Sequence, residues 1–346
     1  MEIIIGLLII AIGAFCQSSC YVPINKIKDW SWESYWIVQG VFAWLILPFL
    51  GALLAVPAGH SLFELFTAEQ SFNIWMTIFF GVLWGVGGLT FGLSMRYLGV
   101  ALGQSIALGT CAGLGTIMGP VLLNIFFPEL NALDSLTFAV IIGVIVTLLG
   151  IAIIGIAGGM KSSALSEEAK KEAVKDFNFP KGLAIALLAG FMSGCFNVGL
   201  AFGEDIKIEG AEVDPMFVSL PATFLVTLGG FVTNMIYCFY QNSVNKTWGD
   251  YGKGSVWANN AFFCLIAGAL WYSQFFGLAL GKGFLTESPA LTTFAFCILM
   301  ALNVTFSNVW GIILKEWKGC SPKTIAVLIL GIIVLIVSTF IPQLIG

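Results

Sequence analysis

Ten stretches of this chain are long and apolar enough to cross a lipid bilayer. Charged residues make up only 10% of its 346 positions, and the mean hydropathy is +0.96. A soluble domain carries about 25% charge, so this chain could not cover a water-exposed surface. Because a span needs about 20 apolar residues, the sequence predicts an all-α integral membrane protein with ten transmembrane helices. The predicted spans are residues 2–24, 34–57, 72–95, 99–126, 135–158, 182–203, 215–241, 256–281, 289–314 and 323–345.

Three of these spans begin with a helix-start signal, in which a capping residue precedes a proline. The pairs are Asp214-Pro215, Ser288-Pro289 and Ser321-Pro322. Proline is tolerated in the first helical turn because its missing N–H would have no partner there. We therefore expect Asp214 to act as a helix N-cap.

The eight cysteines lie almost entirely inside the apolar runs. A disulfide framework would place them in outer loops, so we interpret them as small buried hydrophobic residues. Cys16 and Cys20 share a helical face, but no histidine or carboxylate stands nearby to complete a metal site. The sequence predicts neither a metal site nor a cofactor.

The basic residues predict the orientation of the chain in the bilayer. With the N-terminus outside, only Lys207 and Lys282 of the fifteen basic residues fall in outer loops, which leaves thirteen inside. This positive-inside pattern predicts that both termini lie outside. Arg96, the one arginine of the chain, then lies in a short inner turn after the third span. Two interpretations stay open: it anchors the hairpin at lipid phosphates, or it belongs to an inner gate.

The polar stretch 160–181 divides the ten spans into five plus five. We expect an N-terminal repeat of residues 1–159 and a C-terminal repeat of residues 182–346, joined by this stretch as a cytoplasmic linker. The run GLLIIAIGAFCQSSC from Gly6 resembles GLAIALLAGFMSGCF from Gly182. Because each repeat has an odd number of spans, the two repeats are inverted, an arrangement typical of transporters.

Glycines that stand four positions apart recur in the apolar runs. Such spacing lets helix backbones approach closely, so it predicts tight helix packing. The pairs include Gly81/Gly85, Gly88/Gly92 and Gly190/Gly194.

The chemistry available inside the spans is uncharged. The sequence has no HExxH, GxSxG or P-loop motif, so we predict that the protein is not an enzyme. Amides offer donors and acceptors to sugar hydroxyls, while indole rings cover the apolar face of a sugar. The alternative is that these side chains only join helices, at about 0.6 kcal/mol per hydrogen bond. The candidate substrate-binding residues are Gln17, Tyr21, Trp84, Asn197, Trp271, Tyr272 and Gln274.

The charge of the substrate follows from what the spans lack. A carrier of phosphate esters or nucleotide sugars needs Lys or Arg in its cavity to replace the water around the anion. No span places such a residue at mid-depth. We therefore predict a neutral substrate, and the absence of a basic run argues against nucleic acid as a partner.

Five motifs spread over the whole chain in order resemble the L-rhamnose–proton symporter family of the drug/metabolite transporter superfamily. They are WSWE (30–33), LSMRYLG (93–99), VDPMFVSLP (213–221), WYSQFF (271–276) and LKEW (314–317). The resemblance implies ten helices in two inverted repeats. It also implies proton-driven uptake of a 6-deoxyhexose, L-rhamnose first, across the bacterial inner membrane, with both termini periplasmic. Another neutral sugar, sodium coupling, a channel and a nontransporting sensor stay open as alternatives.

A proton symporter needs a titratable group that both the proton and the substrate can sense. No acid lies at mid-span, and the acids near helix ends are Glu204, Asp205, Asp214 and Glu287. We choose Glu287, just before the Ser288-Pro289 helix start, as the proton-coupling candidate. The alternative is that Glu287 is a solvated outer-loop acid. Arg96 belongs to one of the five motifs, so it is the gate candidate.

Overall fold

The computed structural model describes residues 2–67, 70–98, 100–164, 178–313 and 317–345. All regular secondary structure in these ranges is helical, and nine of the helices found there are long and apolar enough to cross a membrane. Helices suit hydrocarbon because they satisfy their own backbone N–H and C=O groups. With one shorter apolar helix, they are α1 (Glu2–Ser19), α2 (Trp32–Leu53), α3 (Ser71–Leu98), α4 (Val100–Phe126), α5 (Phe138–Ser163), α6 (Phe179–Phe202), α7 (Leu220–Asn245), α8 (Gly254–Gly283), α9 (Pro289–Ile313) and α10 (Pro322–Ser338).

The helix that covers the tenth predicted span is the shortest of the long apolar helices described. α10 has 17 residues, and a separate helical turn, Ile341–Ile345, follows it. Pro342 gives a physical reason for the break, because its ring clashes with the carbonyl four residues earlier and it has no N–H to donate. The arrangement of ten spans in two repeats therefore stays a prediction.

Two of the three proline start signals are confirmed. α9 begins at Pro289, and α10 begins at Pro322. The Oγ of Ser321, the N-cap of α10, accepts a hydrogen bond from the N–H of Thr324 at 3.2 Å.

The third start signal was misinterpreted. Residues 215–219 form turns, and α7 begins at Leu220 with Pro221 in its first helical turn. The carboxylate of Asp214 accepts a hydrogen bond from the N–H of Met216 at 2.9 Å. Asp214 therefore caps a turn and is not the N-cap of α7, because the second proline in this region sets the helix start.

The third span extends further than predicted. α3 continues to Leu98, so Arg96 lies in the last turn of this helix and not in a connecting turn. Residues 94–98 contain no glycine or proline that would end the helix earlier. The Arg96 side chain and residues 165–177 of the predicted linker lie outside the described part of the structure, so the predictions for them stay predictions.

The chain forms two compact units. The first unit comprises Met1–Gly85 and Phe202–Phe284, and the second comprises Val86–Ala201 and Leu285–Gly346. Each unit combines segments from both predicted repeats. The division into repeats at 1–159 and 182–346 stays a prediction, since spatial clustering does not report the symmetry of the chain.

Glycines let α3 pack closely against α7 in the first unit. A Cβ added at Gly81 would lie 2.2 Å from the carbonyl oxygen of Val226, and one at Gly229 would lie 2.3 Å from that of Ile78. Any side chain here would meet rigid backbone, so these helices approach as closely as glycine allows. The predicted close packing is confirmed at Gly81.

The second unit packs in the same way around α4 and α6. A Cβ at Gly190 would lie 2.5 Å from the carbonyl oxygen of Ala107, and one at Gly194 would lie 3.0 Å from the backbone nitrogen of Gly115. The Gly88/Gly92 pair behaves differently, since a Cβ at either position would meet no described atom within 4 Å. The cysteines are free and buried or half-buried, as the sequence predicted.

Candidate functional site

Three tryptophans from three helices meet inside the first unit. The ring of Trp44 on α2 meets Trp84 of α3 edge-on at 6.1 Å and Trp271 of α8 at 5.9 Å between ring centroids. Trp84 and Trp271 lie 5.6 Å apart. Aromatic pairs at these separations contribute about 0.5–1.5 kcal/mol beyond their burial. We call Trp44, Trp84 and Trp271 the tryptophan cluster.

A change in helix type places Trp44 in this cluster. The segment Val41–Ile46 of α2 is a π-helix, between α-helical segments that end at Gly40 and begin at Leu47. π-Helical turns are rare and occur frequently at functional sites, because they shift side chains out of the regular α-helical positions. A Cβ added at Gly40 would lie 2.5 Å from the Trp44 ring, so glycine leaves the room that this ring occupies.

Trp84 also depends on a glycine. A Cβ at Gly230 of α7 would lie 2.2 Å from two carbons of the Trp84 ring. The indole therefore lies directly against the α7 backbone, and this contact limits its position in the cluster.

Five buried side-chain polar atoms in the described part of the first unit have no hydrogen-bond partner. Trp30 Nε1 and Gln70 Oε1 lie just before α2 and α3, and the other three lie on α2 and α8. These three are Oε1 of Gln39, Nε1 of Trp44 and the hydroxyl of Tyr272, and their residues are only 2%, 3% and 7% exposed. An unsatisfied buried donor or acceptor costs about 1–3 kcal/mol. Of these three, two lie on α2 and one on the facing helix α8, so this helix pair holds polar groups that a ligand could satisfy.

Tyr272 lies very close to the backbone of α2. A Cβ at Gly51 would lie 2.1 Å from the Tyr272 hydroxyl. The phenol therefore reaches across to α2 at a position where only glycine leaves space.

The structure brings Trp84 and Trp271 into contact and buries Tyr272 and Gln274 on the same helix as Trp271. At Gln274 the backbone of α8 packs against α1, because a Cβ at Gly13 would lie 3.1 Å from the Gln274 Cα. These four sequence-predicted residues belong to one region of the first unit.

The two candidates on the first span are less buried. Gln17 is half-buried at the end of α1, and Tyr21 is exposed in the short helix Tyr21–Ile24 that follows a turn at Cys20. Their part in a substrate site stays a prediction.

Two other candidates lie in the second unit. The Nδ2 of Asn197 donates a hydrogen bond to the carbonyl oxygen of Gly115 at 2.8 Å, which is the helix-joining role that was left open as an alternative. Glu287 is exposed in the turn before α9. The roles of both residues stay predictions.

Sequence reasoning missed Trp44, Gln39 and a buried acidic network at one end of α2. Glu33 and Asp250 are only 4% and 5% exposed. The Oε1 of Glu33 accepts hydrogen bonds from Nδ2 of Asn245 at 3.0 Å and from the hydroxyl of Thr247 at 2.7 Å. The only signal for Glu33 was its place in the WSWE motif at a helix start, where an acid also suits the helix dipole.

Asp250 is held as a carboxylate by several donors. The backbone N–H and hydroxyl of Ser31 donate to its Oδ2 at 2.7 Å, the Ser34 hydroxyl at 2.9 Å, and the Lys253 ammonium lies 2.6 Å from its Oδ1. Burial alone would raise the pKa of Asp250, but the Lys253 ammonium and these hydrogen bonds outweigh it and lower the pKa to about 2. Asp250 therefore stays ionised at any physiological pH.

No group of three or more His, Cys, Asp or Glu residues that could hold a metal ion occurs in the described part of the chain. The tryptophan cluster is uncharged, and so are Gln39 and Tyr272, each of which has one unpaired polar atom. Chemically, this set can cover an apolar surface and exchange hydrogen bonds, which suits a neutral hydroxylated ligand.

Long apolar helices around a neutral aromatic and amide cluster define a multi-pass membrane protein with a candidate solute site. The chain belongs to the family of the L-rhamnose-proton symport protein (RhaT), which matches residues 1–345. It is 31% identical over 346 residues to the L-rhamnose-proton symporters of Yersinia pestis (strain Pestoides F) and Yersinia pseudotuberculosis serotype O:1b (strain IP 31758). These alignments cover 97% of this chain and 96% of each relative. The resemblance found in the motifs is confirmed, as is the prediction of a transporter and not an enzyme.

Proposed function

We propose that this protein imports L-rhamnose together with protons by alternating access across the bacterial inner membrane. The observation that carries the proposal is the similarity to L-rhamnose-proton symporters over 97% of the chain. Both compact units therefore fall inside the similarity, as expected when the whole transport cycle is shared.

The tryptophan cluster supports the choice of a deoxysugar. A 6-deoxyhexose has an apolar C6 methyl group that indole rings can cover, and hydroxyl groups that need donors and acceptors. Trp44 Nε1, the Tyr272 hydroxyl and Gln39 Oε1 are buried without partners. A bound sugar would replace the edge-on contacts between the indole rings with contacts to its own atoms. Its hydroxyl groups would supply hydrogen-bond partners for these three atoms. The π-helical segment of α2 provides local adaptability for this change.

Three of the remaining candidates complete the proposed binding site. Gln274 contributes an amide close to Trp271, and Gln17 and Tyr21 contribute further polar groups from the first span. Asn197 of the second unit stays a separate substrate-binding candidate, with its Nδ2 hydrogen-bonded to the carbonyl oxygen of Gly115.

We place ten spans in two inverted five-helix repeats, with both termini in the periplasm and the 160–181 linker in the cytoplasm. Thirteen of the fifteen basic residues support this orientation. A membrane-impermeant thiol reagent added from outside should label Ile345→Cys and not Ser166→Cys. The reverse pattern would refute the topology.

Arg96 is proposed as part of the cytoplasmic gate. A guanidinium makes paired hydrogen bonds that a lysine ammonium cannot replace. If Arg96 gates transport, Arg96→Lys should slow uptake while L-rhamnose binding survives. Wild-type uptake in this variant would instead support the anchor role, because lysine satisfies the positive-inside rule equally well.

Counterflow in proteoliposomes tests the proposed function. Vesicles loaded with unlabelled L-rhamnose should transiently concentrate external labelled L-rhamnose, because a carrier exchanges the two. A channel or a sensor would give no transient accumulation. An inward proton gradient should drive net uptake; uptake driven only by sodium, or exchange only of a different neutral sugar, would redirect the proposal to those alternatives.

A further inference from the structure

We infer that Glu33 is the residue that couples the proton to sugar movement, releasing its proton to cytoplasmic water in the conformation described here. This inference rests on the proposed symport and names the coupling group within it. It differs from the sequence-based choice of Glu287, which is exposed in a turn of the second unit.

Hydrogen bonds from neutral groups hold the Glu33 carboxylate. Two of its side-chain donors come from the end of α7 and the residues just after it: Asn245 is the last residue of the helix, and Thr247 stands two positions later. The Ser31 side chain, just before α2, also hydrogen-bonds to Glu33. Between Asn245 and Thr247, Lys246 takes a left-handed conformation with φ 56°. This turn folds Thr247 back toward α2, where its hydroxyl reaches Glu33.

Asp250, the other buried acid of this network, does not carry the coupled proton. Asp250 binds the Lys253 ammonium and accepts three further hydrogen bonds. Its carboxylate is so strongly held that it does not protonate during a cycle near neutral pH. Glu33 has no described lysine partner, so only neutral donors hold its charge. Two of them, Asn245 and Thr247, can be withdrawn by a movement of α2 relative to the end of α7.

Glu33 binds and releases its proton as the donors around it leave and return. When Asn245 and Thr247 are withdrawn, a buried Glu33 carboxylate loses two of the hydrogen bonds that offset its burial, so the balance shifts toward the neutral acid. When these donors return, the carboxyl O–H transfers its proton to water and the carboxylate accepts their hydrogen bonds. One proton leaves the protein, and one negative charge stays on Glu33.

Helix α2 connects Glu33 to the proposed sugar site. Glu33, Gln39 and Trp44 all lie on α2, and Glu33 is roughly 16 Å from Trp44 along the helix at 1.5 Å per residue. Between them Trp36 contacts the Trp44 ring at 5.6 Å and donates from Nε1 to Asn234 of α7 at 3.0 Å. A shift of α2 caused by sugar binding would therefore reach the Glu33 donors through contiguous contacts.

The titratable and charged neighbours of Glu33 come from α7 and the segment after it. A hydrogen-bond chain through Thr247, Asn242 and Ser34 joins the two buried carboxylates. The titratable groups that sense the Glu33 charge are Cys238 on α7 and Tyr251, while Lys253 pairs with Asp250.

The test compares exchange with coupling in proteoliposomes that contain full-length protein. Glu33→Gln keeps an oxygen that accepts from Asn245 and Thr247 but cannot release a proton. It should fold, as thermal unfolding in detergent will show, and it should retain counterflow of L-rhamnose. We expect it to lose proton-driven accumulation, which one pH unit would otherwise raise up to about tenfold for one-to-one coupling. L-Rhamnose addition should no longer move protons, as recorded with a pH dye inside the vesicles.

The matched control is Glu64→Gln. Glu64 is an acid of the same unit that is exposed and paired with His60 at 2.6 Å, so its variant should accumulate L-rhamnose as the wild type does. Proton-driven accumulation by Glu33→Gln at the wild-type level would overturn the inference, as would loss of coupling in Glu287→Gln alone. Failure of the wild type itself to exchange L-rhamnose would refute the proposed function, which separates the two failures.

Discussion

The two units of this protein are both built from apolar helices, but they differ in their tryptophans and in their buried polar groups. Nine of the eleven tryptophans lie in the first unit, at positions 30, 32, 36, 44, 75, 84, 248, 257 and 271, and two lie in the second, at positions 310 and 317. The first unit also buries two carboxylates and leaves Gln39, Trp44 and Tyr272 with unpaired polar atoms. In the second unit the buried polar side chains of the described residues are neutral.

The second unit shows how polar groups behave when they serve packing. Thr147 donates to the hydroxyl of Ser338 at 2.9 Å, and Asn197 donates to the carbonyl of Gly115 at 2.8 Å. These groups are satisfied within the unit. The unpaired atoms on α2 and α8 differ from these groups, because packing leaves them unsatisfied at a cost that a bound ligand would remove.

The largest expected effect separates the tryptophans of the two units. Trp271→Ala should lower L-rhamnose affinity by about 30- to 100-fold, since a central buried tryptophan contributes about 2 kcal/mol or more to binding. The control is Trp317→Ala in the second unit, where the ring packs with Lys161 at 4.8 Å. That variant should lose thermal stability without losing affinity. Calorimetric titration measures both affinities, and equal losses would erase the distinction between the units.

A smaller effect separates an unpaired hydroxyl from a paired one. Tyr272→Phe should weaken L-rhamnose binding about tenfold and leave stability unchanged or raised, because it removes an unsatisfied group. Thr147→Val should do the opposite, lowering the free energy of unfolding by about 1 kcal/mol with no change in affinity. Thermal unfolding with and without L-rhamnose gives both values. A destabilised Tyr272→Phe would mean that its hydroxyl already has a structural partner.

Two glycines give the next comparison. Gly230→Ala should displace the Trp84 ring and weaken binding about three- to tenfold, because one misplaced ring loses part of its contact. Gly190→Ala presses a methyl group against the Ala107 carbonyl. It should lower the free energy of unfolding by about 1–3 kcal/mol and leave affinity unchanged. If Gly230→Ala binds L-rhamnose normally, the position of Trp84 does not matter for the sugar.

The smallest expected effect is a pH dependence of the first unit. The pKa of Asp250 is lowered to about 2 in the folded protein, below its usual value of about 3.9. The stability that this carboxylate contributes is therefore present above about pH 4 and is lost as the pH falls toward 2. Wild-type protein should lose a few degrees of melting temperature in this window relative to Asp250→Asn. Parallel melting curves for the two proteins would show that Asp250 contributes little.

Much of the fold could be predicted because length and apolarity leave few choices in a bilayer. Helix bounds mostly agree within a few residues. Trp84, Trp271 and Tyr272 were chosen as candidates from amides and aromatic rings in apolar runs, and the structure places Trp84 against Trp271. The π-helical segment had no local signal, so Trp44 could not be told from a lipid-facing ring. Glu33 was missed because its partners, Asn245 and Thr247, lie more than 200 positions away and no periodicity links them.

The central claim is that L-rhamnose binds at the tryptophan cluster of the first unit. Fluorine NMR of protein labelled with 5-fluorotryptophan tests it directly, with resonances assigned by single tryptophan-to-phenylalanine substitutions. We predict that added L-rhamnose shifts the resonances of Trp44, Trp84 and Trp271 and leaves those of Trp310 and Trp317 in place. Shifts confined to Trp310 and Trp317, with the cluster unmoved, would contradict the account.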